Sequence, residues 1–392
     1  KLGVYRVIYE VAEGHVSVRR EWDMIQASKG YNDNGRLGPV MRPLVFTGDT
    51  GEEVVNVDMG MAGGGGWHTV QFSFGITDPL DFYIEIPFTY MNLSFEPEPQ
   101  VVDEEGNWIR PGMGTGIAGA EGLMGVTDTK NNGTYQFLTR ILPALGRPAP
   151  ATSFKGEWLL GDINAGFSWN IFRNKRFSVA FTPRVFFPTG YSPNPNSNLM
   201  YGTGPELETG IGGWAAGFTQ GYDVRVFQWS HWVGLYLSSE FTASYGFQQK
   251  RPYPTNFVKP NALAAELDPQ AFPDLSQLSG TFDYTPGWSV MWLTQAKLQL
   301  AMFGLGVGWG VQHSQEPEVR GDAGFLSMVK GLELLGQTSL EAIQLGLSCS
   351  LLPLMIPGEV AMTYTKVVDG DNVIVCDDFY QLTVKAYLPK MW

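Results

Sequence analysis

The chain has 392 residues, of which 44% are hydrophobic and 13% aromatic, and it carries a formal net charge of −13. Charged residues make up 17%, against roughly 25% in a typical soluble domain, so composition favours a large sheet with little aqueous surface. The acidic balance argues against nucleic-acid binding, and helical membrane spans are excluded because no stretch reaches about 18 uninterrupted apolar residues.

The N-terminal segment 1–52 precedes the regular series of predicted strands. It starts at Lys1 without a charged-then-apolar leader, which predicts an exported protein whose signal peptide has been removed. Its stretches "GVYRVIYEV" and "HVSVRREW" could add two strands. Residues 53–62, in which Val55 and Val57 alternate with Asn56 and Asp58, predict the first strand of the main set.

The stretch "FYIEIPF" is a strand with one oily and one polar face. Side chains alternate along a strand, so Phe82 and Ile84 share a face opposite to Tyr83 and Glu85. The same alternation predicts further strands at 67–76, 157–171, 176–188, 208–228, 233–248, 288–300, 305–312, 340–352, 359–367 and 379–392. Together they predict twelve strands, or fourteen if the N-terminal segment adds two. Pro87 and Pro183 should each sit at a bulge, since proline removes a ladder hydrogen bond.

The connections between the predicted strands alternate in length. Short turns lie at 77–80, 173–175 and around Gly304, whereas the long connections are 96–156, 189–205, 249–286 and 313–339. This sorting is typical of outer-membrane barrels. The sequence therefore predicts an all-β fold: a single transmembrane antiparallel β-barrel over 1–392, with short periplasmic turns and long extracellular loops.

The two strand faces predict two sets of residues. The lumen set is nearly balanced in charge and consists of Asp58, Glu85, Asp162, Arg184, Asp223, Arg225, Glu240, Lys297 and Lys385. The lipid-facing set is Phe82, Ile84, Ile86, Phe88, Leu235, Leu237, Phe241, Trp292, Leu382 and Val384. Either the charged groups fill a narrow barrel, or they line a permeation path.

Tryptophans are candidates for interfacial girdles, where an aromatic ring meets lipid and water together. The candidates are Trp22, Trp67, Trp108, Trp158, Trp169, Trp288 and Trp292. Trp392 resembles the terminal aromatic residue that the barrel-insertion machinery reads.

Two long loops contain helix-like stretches. In 96–156, "YQFLTRILPALG" predicts an amphipathic helix that either plugs the lumen or caps the outside. In 324–336, "GFLSMVKGLELLG" places Phe325, Met328 and Val329 on one helical face. That helix either forms a greasy entrance for hydrophobic ligands or packs on the other loops.

Sites for metals and catalysis are not predicted. The acidic stretch "VDGDNVIVCDD", with Asp369, Asp371, Asp377 and Asp378, lacks the spacing of an EF-hand. Cys349 and Cys376 predict neither a disulfide nor, with four scattered histidines, a zinc site. The histidines have no evident nucleophile partner, so we expect no enzyme and no cofactor.

Three stretches resemble a known family: "FSFGITDPLDFYIEIPFTY", "GDINAGFSWNI" and "VFFPTGYSPNPNSNLMYGTGPELETGIGG". They are similar, over roughly residues 67–220, to the outer-membrane barrel family linked to meta-pathway phenol degradation. The insertion at 96–156 is longer than the family pattern. The resemblance implies an outer-membrane barrel that transports small hydrophobic or aromatic compounds.

These features predict an outer-membrane channel of a diderm (Gram-negative) bacterium that passes small, hydrophobic or aromatic solutes passively. The alternative is a structural barrel with a filled lumen, acting as a sheath or scaffold for an electron-transfer, secretion or surface assembly. Expected partners are outer-membrane lipid, lipopolysaccharide and small solutes, with a homo-oligomer or a surface or periplasmic protein left open.

Overall fold

The computed structural model describes the backbone of most of the chain after residue 60 and of short stretches before it. The described ranges are 5–15, 29–31, 37–39, 44–47, 53–58, 61–77, 79–95, 98–102, 108–109, 142–144, 146–148, 151, 153–154, 156–202, 204–229, 233–260, 273–330, 336–356, 358–371, 373–374 and 378–388. Side chains are described within these ranges from Gly63 onward, except for 95–109, 330, 373–378 and 387–388. Of the residues considered above, Trp22, Cys376, Asp377 and Trp392 lie outside the described part.

The described elements are almost all strands. They are β1 (Tyr5–His15), β2 (Lys29–Tyr31), β3 (Leu37–Pro39), β4 (Leu44–Thr47), β5 (Glu53–Asp58), β6 (Met61–Thr77), β7 (Leu80–Phe95), β8 (Glu98–Val102), β9 (Trp108–Ile109), β10 (Ser153–Phe154), β11 (Trp158–Leu160), β12 (Asn164–Arg173), β13 (Phe177–Phe186), β14 (Ala215–Gln228), β15 (Val233–Gly246), β16 (Gln249–Pro252), β17 (Thr281–Thr285), β18 (Gly287–Leu300), β19 (Phe303–Ser314), β20 (Glu318–Arg320), β21 (Thr338–Ser350), β22 (Gly358–Asp371), β23 (Val373–Ile374) and β24 (Asp378–Leu388). Two short helices are α1 (Leu142–Ala144) and α2 (Ala323–Lys330).

One antiparallel sheet curls until its ends meet. Its strands are paired in the order β10-β7-β12-β13-β14-β15-β18-β19-β21-β22-β24-β1-β6, and β6 also pairs with β7. The path from β7 to β6 therefore closes on itself, and we call this closed sheet the wall. The predicted all-β antiparallel architecture is confirmed.

The N-terminal part of the prediction needs a correction. β1 lies in the wall between β24 and β6, where Tyr9 pairs with Val384 and with Val70. β5, predicted as a wall strand, instead pairs with β4 and β8 in a separate four-stranded sheet. The alternation of residues 53–58 indicates a strand correctly but does not indicate its partner.

The two prolines of the wall behave differently. Next to Pro87, Phe88 pairs with Leu160 of β11 and Glu85 pairs with Asn164 of β12. The segment between β11 and β12 therefore has one residue more than the segment of β7 that it faces. The bulge predicted there is confirmed. At Pro183 the bulge prediction is wrong, because β13 keeps its register against β14 and pairs Pro183 with Phe218.

Connections between successive wall strands are short at one end and long at the other, with 372–377 as the one short connection at the second end. At one end lie the short connections 78–79, 174–176, 229–232, 301–302 and 351–357, and at the other lie 16–60, 96–163, 187–214, 247–286, 315–337 and 372–377. At the second end, β16, β17 and β20 form a small sheet of their own. Gly287 has a φ of 79°, a left-handed conformation that glycine adopts readily, where β17 passes into β18.

Candidate functional site: the interior of the wall

The two faces of the wall differ in burial and in chemistry. On β6, Thr69 and Ser73 are each 9% exposed, whereas Phe72 and Ile76 on the opposite face are 39% and 54% exposed. The polar face therefore points into the curled sheet and the apolar face points out. The predicted lipid-facing residues all lie on this outward face, Phe82, Ile84, Ile86, Phe88, Leu235, Leu237, Phe241, Trp292, Leu382 and Val384.

A group of charged side chains meets on the inner face of β7, β12, β13 and β15. Asn164 donates through Nδ2 to Oε1 of Glu85 at 2.8 Å. The guanidinium of Arg184 lies close enough to the hydroxyl of Tyr83 and the carboxylate of Glu240 for its charge to act on both groups. The structure thus brings together three of the predicted lumen residues, Glu85, Arg184 and Glu240.

A second group lies towards the short connections. Nζ of Lys297 is 3.3 Å from Oε1 of Glu359, and Glu359 is the register partner of Lys385. Glu359 was missing from the predicted set, although the alternation at the start of 359–367 places it on the same face as Ala361 and Thr363. Asp223 also lies on this inner face, opposite Ser238.

Arg225 lies close to the short connection after β14. Its Nη1 donates to Oε1 of Gln228 at 2.8 Å, and its guanidinium is 5.7 Å from the centre of the Tyr236 ring. It therefore belongs to the end of the inner face.

Asp162 is not a free lumen carboxylate, and its predicted role is corrected. It is 6% exposed and accepts hydrogen bonds from the backbone N–H of Gly190 at 2.9 Å and of Ile211 at 2.5 Å. It fastens the two ends of the 187–214 connection to the start of β12. Asp58, on β5, lies outside the wall.

We expect Asp162→Ala to loosen this connection, because two backbone donors lose their acceptor. A buried unpaired donor costs about 1–3 kcal/mol. Faster proteolysis within 187–214 and a lower unfolding temperature would be the readout. Asp162→Asn keeps the oxygen that accepts from Gly190 but sets its NH2 group against the N–H of Ile211, so it should loosen only the Ile211 end of the connection. Equal loosening of the Gly190 end by both variants would contradict this role.

An aromatic pair lies on the inner face near the long connections. Trp67 has the same parity as Thr69 and Ser73, and its ring stacks on Phe379 with centroids 4.7 Å apart. Trp67 is 40% exposed, so it presents a free ring surface to the interior. Its assignment to an interfacial girdle is therefore corrected.

The inner face of β19 carries few side chains. Gly304, Gly306, Gly308 and Gly310 occupy the inward positions of β19, and Gly346 is the partner of Gly306. A Cβ added at Gly306 would meet nothing closer than 3.8 Å, and one at Gly346 nothing closer than 3.9 Å. Gly306 and Gly346 therefore form a bare strip of backbone, flanked on β21 by the inward side chains of Gln344 and Ser348.

Comparison with solved structures identifies the architecture. The crystal structure of an outer-membrane channel from Pseudomonas putida F1 is similar over 99% of this chain and 96% of that one, with a TM-score of 0.50 and 8% identity. The chain has the fold of an outer-membrane β-barrel. No protein-family model and no curated protein matches the sequence.

Two further barrels align with this one at lower similarity. The alignment with the NanC porin covers 86% of this chain and 98% of the porin, with 8% identity and a TM-score of 0.34. A Pseudomonas aeruginosa FadL homologue covers 98% and 90%, with 9% identity and a TM-score of 0.30. In the part of the chain that the structure describes, no helix is long and apolar enough to cross a membrane.

Four of the remaining girdle candidates have described side chains. Trp158, Trp169, Trp288 and Trp292 are 50–53% exposed. Trp169, Trp288 and Trp292 lie at outward positions of wall strands, and their place in an interfacial girdle stays a prediction. The side chain of Trp108 lies outside the described part.

The long connections at one end of the barrel build a compact body, which we call the crown. Its core consists of Tyr201, Tyr253, Phe257, Leu275, Phe282, Phe325 and Val329. Helix α2 contributes Phe325, at 0% exposure, and begins where Asp322 Oδ1 accepts from the backbone N–H of Gly324 and Phe325. The packed interpretation of this helix is confirmed, and a greasy entrance is wrong for it. Of the predicted helix in 96–156, only Leu142–Ala144 is described.

The crown also contains a buried ion pair. Arg251 is 7% exposed and donates to both carboxylate oxygens of Glu208, at 2.5 and 2.6 Å. Its guanidinium lies 4.0 Å from the centre of the Tyr284 ring. Burial raises the pKa of the Glu208 carboxyl above its usual range, while the charge of Arg251 opposes that shift.

Proposed function

We propose that this protein is an outer-membrane channel through which small solutes pass passively. The twelve strands on the closed path would form the membrane wall, with the short connections in the periplasm and the crown outside the cell. The observation that carries the proposal is the closed sheet with an apolar outer face and a polar, partly bare inner face. Such a face pattern suits a wall between lipid and water.

Small hydrophobic or aromatic solutes are the proposed cargo. The exposed ring of Trp67, stacked on Phe379, offers a flat apolar surface on the inner face near the crown. The bare strip at Gly306 and Gly346 leaves room beside the charged groups. A solute would contact the aromatic pair first and then move along this strip, as weak successive sites permit both entry and release.

Single-channel conductance of the refolded protein in a planar bilayer tests the channel. We expect steady current from the wild type and a fall on the order of twofold or more for Gly306→Trp, because pore width limits passage. Val307→Trp adds the same ring on the outer face and should leave the current unchanged. Silence of the wild type, or equal loss in both variants, would argue against a path along this strip.

The aromatic pair gives a test of the cargo. We expect Trp67→Ala to reduce transient blocking of the current by a phenol-like probe, because removing one aromatic face from a stacked contact costs about 0.5–1.5 kcal/mol. Trp292→Ala, which removes an outward ring, is the control. If blocking is the same in both variants, Trp67 does not contact the solute.

A scaffold function is the second candidate, and the packed crown is the observation that favours it. The crown has its own core and a buried ion pair, which make a rigid surface for a partner protein. A silent wild-type bilayer recording together with a protein that co-purifies through the crown would support this function instead.

A further inference from the structure

A line of polar side chains crosses the outer face of β14, β15 and β18. Gln220 and Tyr222 lie on β14, Ser239 is the register partner of Tyr222, and Thr294 is the partner of Ser239. Gln220 must point outward, because the hydroxyl of its neighbour Thr219 is 2.9 Å from that of Thr242 on the inner face. We call these four residues the polar patch.

The surroundings of the polar patch are apolar. Gln220 has Phe181 as its register partner on one side and Phe241 on the other. Phe218, one outward position away on β14, lies with its ring centre 5.5 Å from that of Phe181 and 6.0 Å from that of Phe241. The amide is thus set into an aromatic cluster near the middle of a 14-residue strand.

Two of the four residues of the polar patch, Ser239 and Thr294, have hydrogen-bond partners within the chain. Trp292 donates through Nε1 to the Ser239 hydroxyl at 2.8 Å, and that hydroxyl is 3.2 Å from Thr294 Oγ1. Within the described ranges, the amide of Gln220 and the hydroxyl of Tyr222 have no hydrogen-bond partner. In hydrocarbon, an unpaired polar group is costly, so these two groups call for a partner from outside the chain.

The outer face of β19 and β21 differs from this on the side of the short connections, where it is apolar. The outward side chains there are widely exposed, with Leu305 at 47%, Val307 at 51%, Leu345 at 54% and Leu347 at 58%. Nearer the long connections, the outward carboxylate of Glu341 accepts from Nε1 of Trp309 and so has a partner within the chain. Lipid satisfies the apolar part of that surface without a protein partner. The polar patch therefore marks one side of the barrel.

We propose that the polar patch is the contact between two copies of this chain in the membrane, with the Gln220 amides paired across a two-fold axis. A glutamine amide both donates and accepts, so it is complementary to itself. A two-fold axis along the membrane normal places the same residue of both copies at the same depth. The flanking phenylalanines pack around the pair. The inference rests on the proposed membrane location but goes beyond channel function.

Crosslinking in native membranes tests this contact. In a Cys349→Ser/Cys376→Ser background, Tyr222→Cys keeps Gln220 and places a thiol next to the proposed axis, while Leu345→Cys places one on the lipid-covered side. We expect a crosslinked dimer after oxidation for Tyr222→Cys and not for Leu345→Cys. Adding Gln220→Leu should lower the dimer yield on the order of fivefold, as expected for loss of a hydrogen bond in the membrane.

Folding and channel function are followed separately. Heat-dependent gel migration confirms that each variant folds. If Tyr222→Cys does not fold, Phe241→Cys takes its place, because Phe241 is the register partner of Gln220. Single-channel conductance of Gln220→Leu is expected to equal that of the wild type, so loss of dimer with intact current leaves the proposed function standing. No crosslink at the polar patch, or equal crosslinks at Leu345→Cys, would overturn the inference.

Discussion

Replacing Arg251 by leucine is expected to unfold the crown locally while leaving the wall intact. Glu208 would then be buried without its cation, and breaking a buried pair in this way costs about 3–5 kcal/mol. Both side chains are largely buried, at 8% and 12% exposure. Hydrogen exchange of 190–214 and 249–260 should rise towards that of an open loop, because local opening becomes cheaper.

The control for this change is an ion pair at the crown surface. Arg320 and Glu318 lie within bonding distance, but their side chains are 69% and 57% exposed. Exposed pairs contribute about 0–1 kcal/mol, so Arg320→Leu should change exchange very little. Equal effects of Arg320→Leu and Arg251→Leu would show that the buried pair does not stabilise the crown.

The effect of Arg251→Leu should depend on pH with a definite sign. Burial already raises the pKa of Glu208, and removing Arg251 removes the charge that opposes this shift. A carboxyl whose folded pKa lies above its unfolded pKa holds its proton better in the folded state. The folded crown of the variant is therefore favoured at acid pH and loses stability as pH rises through that pKa. The intrinsic rate of amide hydrogen exchange also changes with pH, so the variant is compared with the wild type at each pH.

Face assignment is the part of this fold that sequence predicts best, since a strand has a period of two. Ile84 and Glu85 illustrate this, because adjacent residues must point to opposite sides and the apolar one points out. The sequence prediction placed Trp67 in an interfacial girdle because tryptophan is common there, although its position in the alternation of β6 is an inward one. The glycines at 63–66 before it have no side chains that would indicate which face is inward. The alternation of 359–367 likewise indicates that Glu359 faces inward, although the predicted lumen set does not include it.

Long-range partners are what the sequence could not supply. β1 and β5 both alternate, yet only β1 lies in the wall, because pairing depends on which edges meet in space. Asp162 could not be distinguished from a lumen carboxylate, since its hydrogen-bond donors are 28 and 49 residues away along the chain. The crown core likewise joins side chains from 201 to 329 that no local pattern links.

The proposed location of the wall in lipid predicts a large difference between two adjacent residues. Leu345 points outward near the middle of β21, whereas Gln344 points inward and accepts from Nε2 of Gln295 at 3.3 Å. An arginine on the lipid side near the bilayer midplane costs about 2–4 kcal/mol. We therefore expect Leu345→Arg to lower the free energy of unfolding by that amount in lipid vesicles.

The matched variant Gln344→Arg places the same charge on the same strand, one residue away. It faces water and the interior acids, so its free energy of unfolding should stay close to that of the wild type. Urea unfolding in vesicles measures both variants under identical conditions. Because the introduced residue and the strand are the same and the positions are adjacent, a large difference between them reports which face meets hydrocarbon. Equal stabilities would mean that the outer face is covered by something other than lipid, and the channel proposal would lose its physical basis.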